Sequence, residues 1–282
     1  MFKPAIIIDH DAGTNPDDVL AFLLLLNSAR ADIRMTVSGN KFPVERARYA
    51  HKFFAAMGRA DIPCYAGEKN GHVDFHAQKD IEGYTYEPPD DYLSRLKELC
   101  ETEDNIVYLA IQGLSNLDRF LSLYPQYSPK LSVFHMGMTL PKANNEWIKG
   151  GTNMEIDSSA ASRVYQFPNL DLKIVGAHTT IHDALRLSPD TPLYRKLFID
   201  GGTAYEMIRN ALQDFYNRRG IWPALHDPLT ASAAIGCDFV RFTSQRVDFD
   251  ESGAYRLGKN SAVMISADAD YRHFMDYFFG LL

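Results

Sequence analysis

Cysteine is scarce in this chain and scattered: Cys64, Cys100 and Cys237 are its only three, and no two form a Cys-x-x-Cys pair. That spacing excludes a disulfide framework and a zinc knuckle. Thiols of this kind suit a reducing compartment, so the protein is expected to be cytoplasmic. Long apolar runs are missing as well. Nothing approaches the roughly 18 residues of a membrane span, and the start, Met1 to Asp9, is too short and too soon charged for a signal peptide. Positive charge is in deficit, with 29 Lys+Arg against 36 Asp+Glu and a net charge of −7. Non-specific binding to nucleic acid or to a membrane surface needs clustered cations, so neither partner is expected. The surplus of acid leaves one narrower use open: some of the carboxylates can hold a metal.

What is present is an ordinary globular chain, 46% hydrophobic and 23% charged. Ile6-Ile7-Ile8 is a β-branched run that ends in charge, as a buried parallel strand does. Asp17 to Arg30 reads as a helix, with Pro16 before its first turn and two aspartates at its positive end. The alternation continues with strands over 33–37, 106–110, 131–134 and 172–175, and helices over 43–57, 115–124 and 158–166. Helices dominate from about 180 to 235, and 249–265 reads as a terminal hairpin. Segment 68–92, with its Gly, Pro, Asp and His, reads as a loop or lid. Strand–helix alternation of this kind predicts an α/β fold, a mostly parallel central sheet flanked by helices on both faces. No repeat or low-complexity tract divides the chain, so a single domain over 1–282 is expected.

The most informative stretch is Asp9-His10-Asp11-Ala12-Gly13-Thr14-Asn15-Pro16-Asp17-Asp18. Four carboxylates crowd the carboxyl end of a strand and the start of a helix, the edge where open α/β sheets bind ligands. Such a cluster repels itself unless a cation joins it or protons stay on. A hard divalent ion with oxygen ligands, Ca2+ ahead of Mg2+, fits these donors. The plainer alternative is a solvated turn with an N-capping aspartate. His10 lies between two candidate ligands, but strand alternation turns it to the opposite face, which makes it structural. His72 and His76 read as surface residues.

The stretch resembles the N-terminal signature of the nucleoside hydrolases, the calcium-dependent N-ribohydrolases of Rossmann-like fold. Further matches follow in the same order. They are Val37-Ser38-Gly39-Asn40, Asp61-Ile62-Pro63-Cys64-Tyr65-Ala66-Gly67, Gly113-Leu114-Ser115-Asn116-Leu117, Asn153 four residues before Asp157, and His226-Asp227-Pro228. The resemblance implies a Ca2+ ion held by Asp11, Asp18, Asp227 and the backbone carbonyl of Ile111. Asp11 would also take the proton from the attacking water. Asp17, Asn40, Asn145 and Asn153 would hold the sugar of a nucleoside-like substrate, Asp9 would orient its neighbours, and His226 would assist the leaving base. Homodimers or homotetramers are implied in the same way.

Two departures from the family pattern matter. Thr14-Asn15-Pro16 stands where the family has one residue, which lengthens the loop between Asp11 and Asp17. If the loop bulges outward, Asp11 and Asp18 keep one cavity; otherwise they part. The family's glutamate for the ribose 5′ end falls on Gly151, so substrates modified at that end come into question. Two rival readings follow: a relative of the same fold that binds nucleosides or sugars with weakened catalysis, and a haloacid-dehalogenase-type phosphatase suggested by Asp9-His10-Asp11. The phosphatase reading leaves His226-Asp227-Pro228 unexplained.

Overall fold

The computed structural model describes residues 3–141, 146–199 and 201–282. The first half alternates strictly. β1 (Ala5–His10), α1 (Asp17–Asn27), β2 (Asp32–Asn40), α2 (Pro43–Ala56), β3 (Cys64–Lys69), α3 (Tyr92–Thr102), β4 (Ile106–Ala110), α4 (Ser115–Leu123) and β5 (Leu131–Gly137) follow one another. Then come α5 (Thr152–Ile156), α6 (Ser158–Tyr165), β6 (Asp171–Gly176), α7 (Ala177–Thr180), α8 (Pro192–Leu197), α9 (Thr203–Arg219) and α10 (His226–Ala234). The chain closes with β7 (Val240–Phe249), β8 (Tyr255–Leu257), β9 (Ser261–Ala269) and α11 (Tyr271–Leu281).

The strands form one nine-stranded sheet in the order β3-β2-β1-β4-β5-β6-β9-β7-β8. Every pairing from β3 across to β9 is parallel; only β7 pairs antiparallel, with β9 on one side and β8 on the other. The fold is therefore α/β with a mixed, mostly parallel sheet, as the alternation predicts.

β1 lies at the heart of this sheet with all six residues buried. Its alternation splits the core: Ile6 and Ile8 join one apolar cluster, with α1, α2, α9, α10 and α11, and Ile7 joins the other, with α3, α4 and α6. The α1 sequence explains its central place. An almost unbroken apolar run from Val19 to Leu25 leaves no polar face for water, and every residue of that run is buried. Among the described residues no helix is long and apolar enough to cross a membrane.

Several boundaries differ from the sequence reading, β5 among them, which runs on to Gly137. α1 stops at Asn27, before the expected Arg30, because Ser28 turns extended and its hydroxyl takes the Arg30 N–H, 3.1 Å away. β2 runs on to Asn40, which ends it in the left-handed region at φ 67°. The terminal hairpin begins at Val240 and not at Phe249, with eight residues of β7 in register with β9. Segment 68–92 has a short 3-10 turn at Gln78–Ile81, and much of it lies pinned on the site.

Candidate functional site

The parallel strands bring their carboxyl ends to one edge, where a cavity of about 230 Å³ opens between Asp11, the first turn of α1, Ile111 after β4, Met136 and Gly137 at the end of β5, Asn153 of α5, and the first turn of α10. Asp11, Asp17, Asp18 and Asp227 all line it. The carboxylate oxygens of Asp17, Asp18 and Asp227 come within 4.8 Å of one another, and all three residues are buried. Asp11 stands beside them, its N–H donating to Asp18 Oδ1 over 3.1 Å. Asp11 and Asp18 thus share one cavity despite the lengthened loop.

They share it for a reason other than an outward bulge. Gly13, Thr14 and Pro16 are buried and Asn15 partly so, and the loop is clamped from two directions. Arg46 of α2 is fully buried. Its guanidinium donates to the carbonyls of Asp11 and Ala12, to Thr14 Oγ1 at 2.8 Å, and to the carbonyls of Val73 and Asp74. Arg218 of α9 reaches Thr14 O at 2.6 Å. The 72–76 segment is sewn to the same loop, with Thr14 Oγ1 bonded to Asp74 O at 2.8 Å and His76 N to Gly13 O at 2.7 Å. Gly13 has φ +98°, and a Cβ there would collide with the Phe75 ring. Segment 72–76 is therefore a strap fastened to the site and not a free lid.

The other expected residues divide by position. Asn153 lines the cavity, with its Nδ2 spent on Met136 O (2.8 Å) and Ile111 O (3.3 Å), which leaves its Oδ1 for a ligand. Ile111 lines it too. His226 lines the cavity, half-buried, with Nδ1 2.7 Å from Thr180 Oγ1. Asn40 does not line it. Its Nδ2 donates to Asp11 Oδ2 at 3.0 Å and its Oδ1 accepts from Lys41 N and Val73 N, so it orients Asp11 from behind the cavity. Asp9 also stays out of the cavity, where Tyr108 (2.7 Å), Asn116 (2.8 Å) and Gln112 donate to its carboxylate. That withdrawal removes the basis for a phosphatase nucleophile at Asp9. His10 points to the opposite sheet face from Asp9, buried against Phe22 of α1 with ring centroids 5.0 Å apart, and does not line the cavity. Asn145 lies outside the described residues.

Electrostatics follow from burial. Desolvation pushes Asp17 and Asp9 up to about 7, and it lifts Asp18 and Asp227 well above the carboxylate range, with the neighbouring carboxylates adding to the effect. Asp11 is raised by burial as well, and the Arg46 charge and the Asn40 amide pull it back. Four buried carboxylates around one cavity against one buried guanidinium are short of positive charge. A hard cation with oxygen donors fits this set, and sulfur is absent from it. Burial lowers His226 to about 4, with Arg186 adding to the shift, so its ring is neutral at pH 7. Sequence reasoning missed Arg46 and Thr180, which sit in no recognisable motif, and gave Asn15, inside the aspartate stretch, no role of its own.

The family described as inosine-uridine preferring nucleoside hydrolase matches residues 6–276. The chain belongs to the inosine-uridine preferring nucleoside hydrolase family. Solved nucleoside hydrolase structures agree on the fold. A plant nucleoside hydrolase, PpNRh1, superposes with a TM-score of 0.82 at 17% identity, covering 99% of both chains. The purine-preferring ribonucleoside hydrolase of Gardnerella vaginalis gives 0.79 at 16%, covering 98% of this chain and 97% of that one. The inosine-uridine preferring nucleoside hydrolase of Bacillus anthracis gives 0.77 at 18%, covering 99% and 98%. No curated protein matches the sequence. Low identity with full coverage marks a divergent member of the family, one that keeps the fold.

Proposed function

We propose that this protein is a metal-dependent hydrolase of the N-glycosidic bond of a nucleoside or nucleoside-like riboside. The observation that carries this reading is the buried carboxylate set, Asp11 with Asp17, Asp18 and Asp227, around one cavity at the carboxyl edge of the sheet. Asp11, Asp18, Asp227 and the Ile111 carbonyl would hold a Ca2+ ion. Such an ion, when bound, increases the acidity of water beside it and binds sugar hydroxyls. Asp11, fixed by Asn40, accepts the proton of the attacking water, a role worth about 10²–10⁴ in rate. Asp17 accepts from a ribose hydroxyl and Asn153 offers its free Oδ1 to another. These oxygens face the positive charge that grows on the sugar as the base departs. Neutral His226 gives the base a hydrogen bond from Nε2 while Thr180 holds Nδ1.

Gly151 bears on the substrate. It lines the cavity, and a Cβ added there meets nothing within 4 Å. With no carboxylate at this position, a nucleoside substituted at its 5′ end is favoured over a plain one. The same opening supports the second reading, a relative that binds nucleosides but turns them over weakly. Incubation with inosine, uridine and 5′-substituted analogues, with and without EDTA and with Asp11→Asn as control, separates the two. Sugar release abolished by EDTA and by the variant supports hydrolysis; binding without release supports the second reading. The cytoplasmic location and a homodimer or homotetramer belong to this proposal too, and light scattering in solution checks the assembly.

A further inference from the structure

Asn15 lies at the middle of the lengthened loop Thr14-Asn15-Pro16, and it occupies a junction. It lines the catalytic cavity together with Asp17 and His226. The same three residues line an adjoining chamber of about 230 Å³, whose outer walls are Phe215, Ile221, Pro223 and Ala224, with Arg219. Asn15, Asp17 and His226 therefore form the waist between a carboxylate-lined compartment and a largely apolar one. A polar sugar suits the first compartment and a flat heteroaromatic ring the second, so the bond between sugar and leaving group crosses this waist.

The loop holds Asn15 in place. Thr14, just before it, is tied by Arg46, Asp74 and Arg218, and Pro16, just after it, gives its carbonyl to Leu20 N at 3.2 Å as α1 begins. The Asn15 side chain, by contrast, is unspent: its Oδ1 is buried with no hydrogen-bond partner among the described residues. A buried amide oxygen left without a donor is costly, and a ligand that supplies one recovers that cost. We propose that Asn15 is a specificity-determining residue whose side-chain amide meets the leaving group as it lies across the waist. The leaving group would be a heteroaromatic base that presents an N–H or amino edge to it. This rests on the N-glycoside reading of the cavity.

Equilibrium binding tests it without requiring turnover. Wild type and Asn15→Ala are titrated with inosine and with free ribose in the presence of Ca2+, and Ca2+ affinity is measured alongside. The expected result is at least a tenfold loss of inosine affinity, with ribose and Ca2+ affinities held within twofold. Asn15→Asp, which keeps the acceptor, is expected to recover part of the inosine affinity. Equal weakening of inosine and ribose, or a loss of Ca2+ binding, would assign Asn15 to scaffolding and overturn the proposal. So would an unchanged inosine affinity. If wild type binds inosine but releases no sugar, the hydrolase reading fails while the Asn15 result still stands on binding. If wild type binds neither inosine nor ribose, both fail.

Discussion

The two rims of the cavity are built on opposite terms. The rim from Asp11 to Asp18 is buried, cross-linked by two arginines and a strap, and restrained at nearly every backbone turn. The facing rim carries Gly151, with open space where a side chain would stand, an exposed Thr152, and Ile181, which is 66% exposed. Restraint is concentrated where like charges must be held together against their own repulsion. Openness is left where a substrate, and not the protein, fills the space. On the proposed reading, the first rim supplies the carboxylates and, at Asn15, a contact to the leaving group, and the second shapes the space at the 5′ end of the sugar.

The largest test of that contrast is removal of one carboxylate. Asp11→Asn should lower nucleoside turnover by about 1,000-fold, as loss of a general base does, and Thr152→Ala on the open rim should change it far less. Comparable losses at the two would erase the distinction. Arg46→Met comes next. It frees a buried cluster of carbonyls and should cost about 2–4 kcal/mol in urea unfolding, against within about 0.5 kcal/mol for Thr152→Ala.

Acid should destabilise the fold through β5, whose last residues line the cavity. His135 is buried, its Nε2 3.0 Å from Gln112 O and its Nδ1 2.7 Å from Tyr165 OH. A neutral ring satisfies both bonds by donating to the carbonyl and accepting from the hydroxyl. Burial lowers it to about 4 from 6.5, so the unfolded chain binds its proton first. The stabilisation is complete above about pH 6.5 and is lost as pH falls toward 4, about 3 kcal/mol in all. His135→Gln should flatten that part of the stability–pH curve; an unchanged slope would refute it. Ca2+ at 100 times its dissociation constant should add about 2.7 kcal/mol of stability, and Asp18→Asn should remove the gain in a thermal melt. The smallest expected effect is Gly151→Glu, which should improve KM for plain inosine by a few-fold with stability unchanged.

How much of this was legible in the sequence depended on how local the signal was. The first strand, the aspartates behind it and the helix they open lie within a few turns of chain, so composition and spacing exposed them together. Asn40, Asn153 and Asp227 could be placed near the site only through the family resemblance. Even then, the role of Asn40 depended on where its two side-chain atoms were already committed. Arg46 gave no signal: on an amphipathic helix an arginine reads as surface, and only the fold turns this one inward. The early start of β7 was hidden because its burial alternates irregularly among polar residues, as befits a strand near the sheet's edge.

The carboxylate cluster joins the beginning of the chain to a residue about 200 positions later, Asp227 at the head of α10, which packs on α1. On a ribosome, Asp11, Asp17 and Asp18 emerge long before their partner exists. The helix between them and the sheet must also wait, since Phe274 and Phe278 of α11 complete its apolar surroundings. The site is thus finished only after most of the sheet has emerged. A cation captured by the completed cluster would act as the latch on the whole molecule, and not only as an aid to its chemistry.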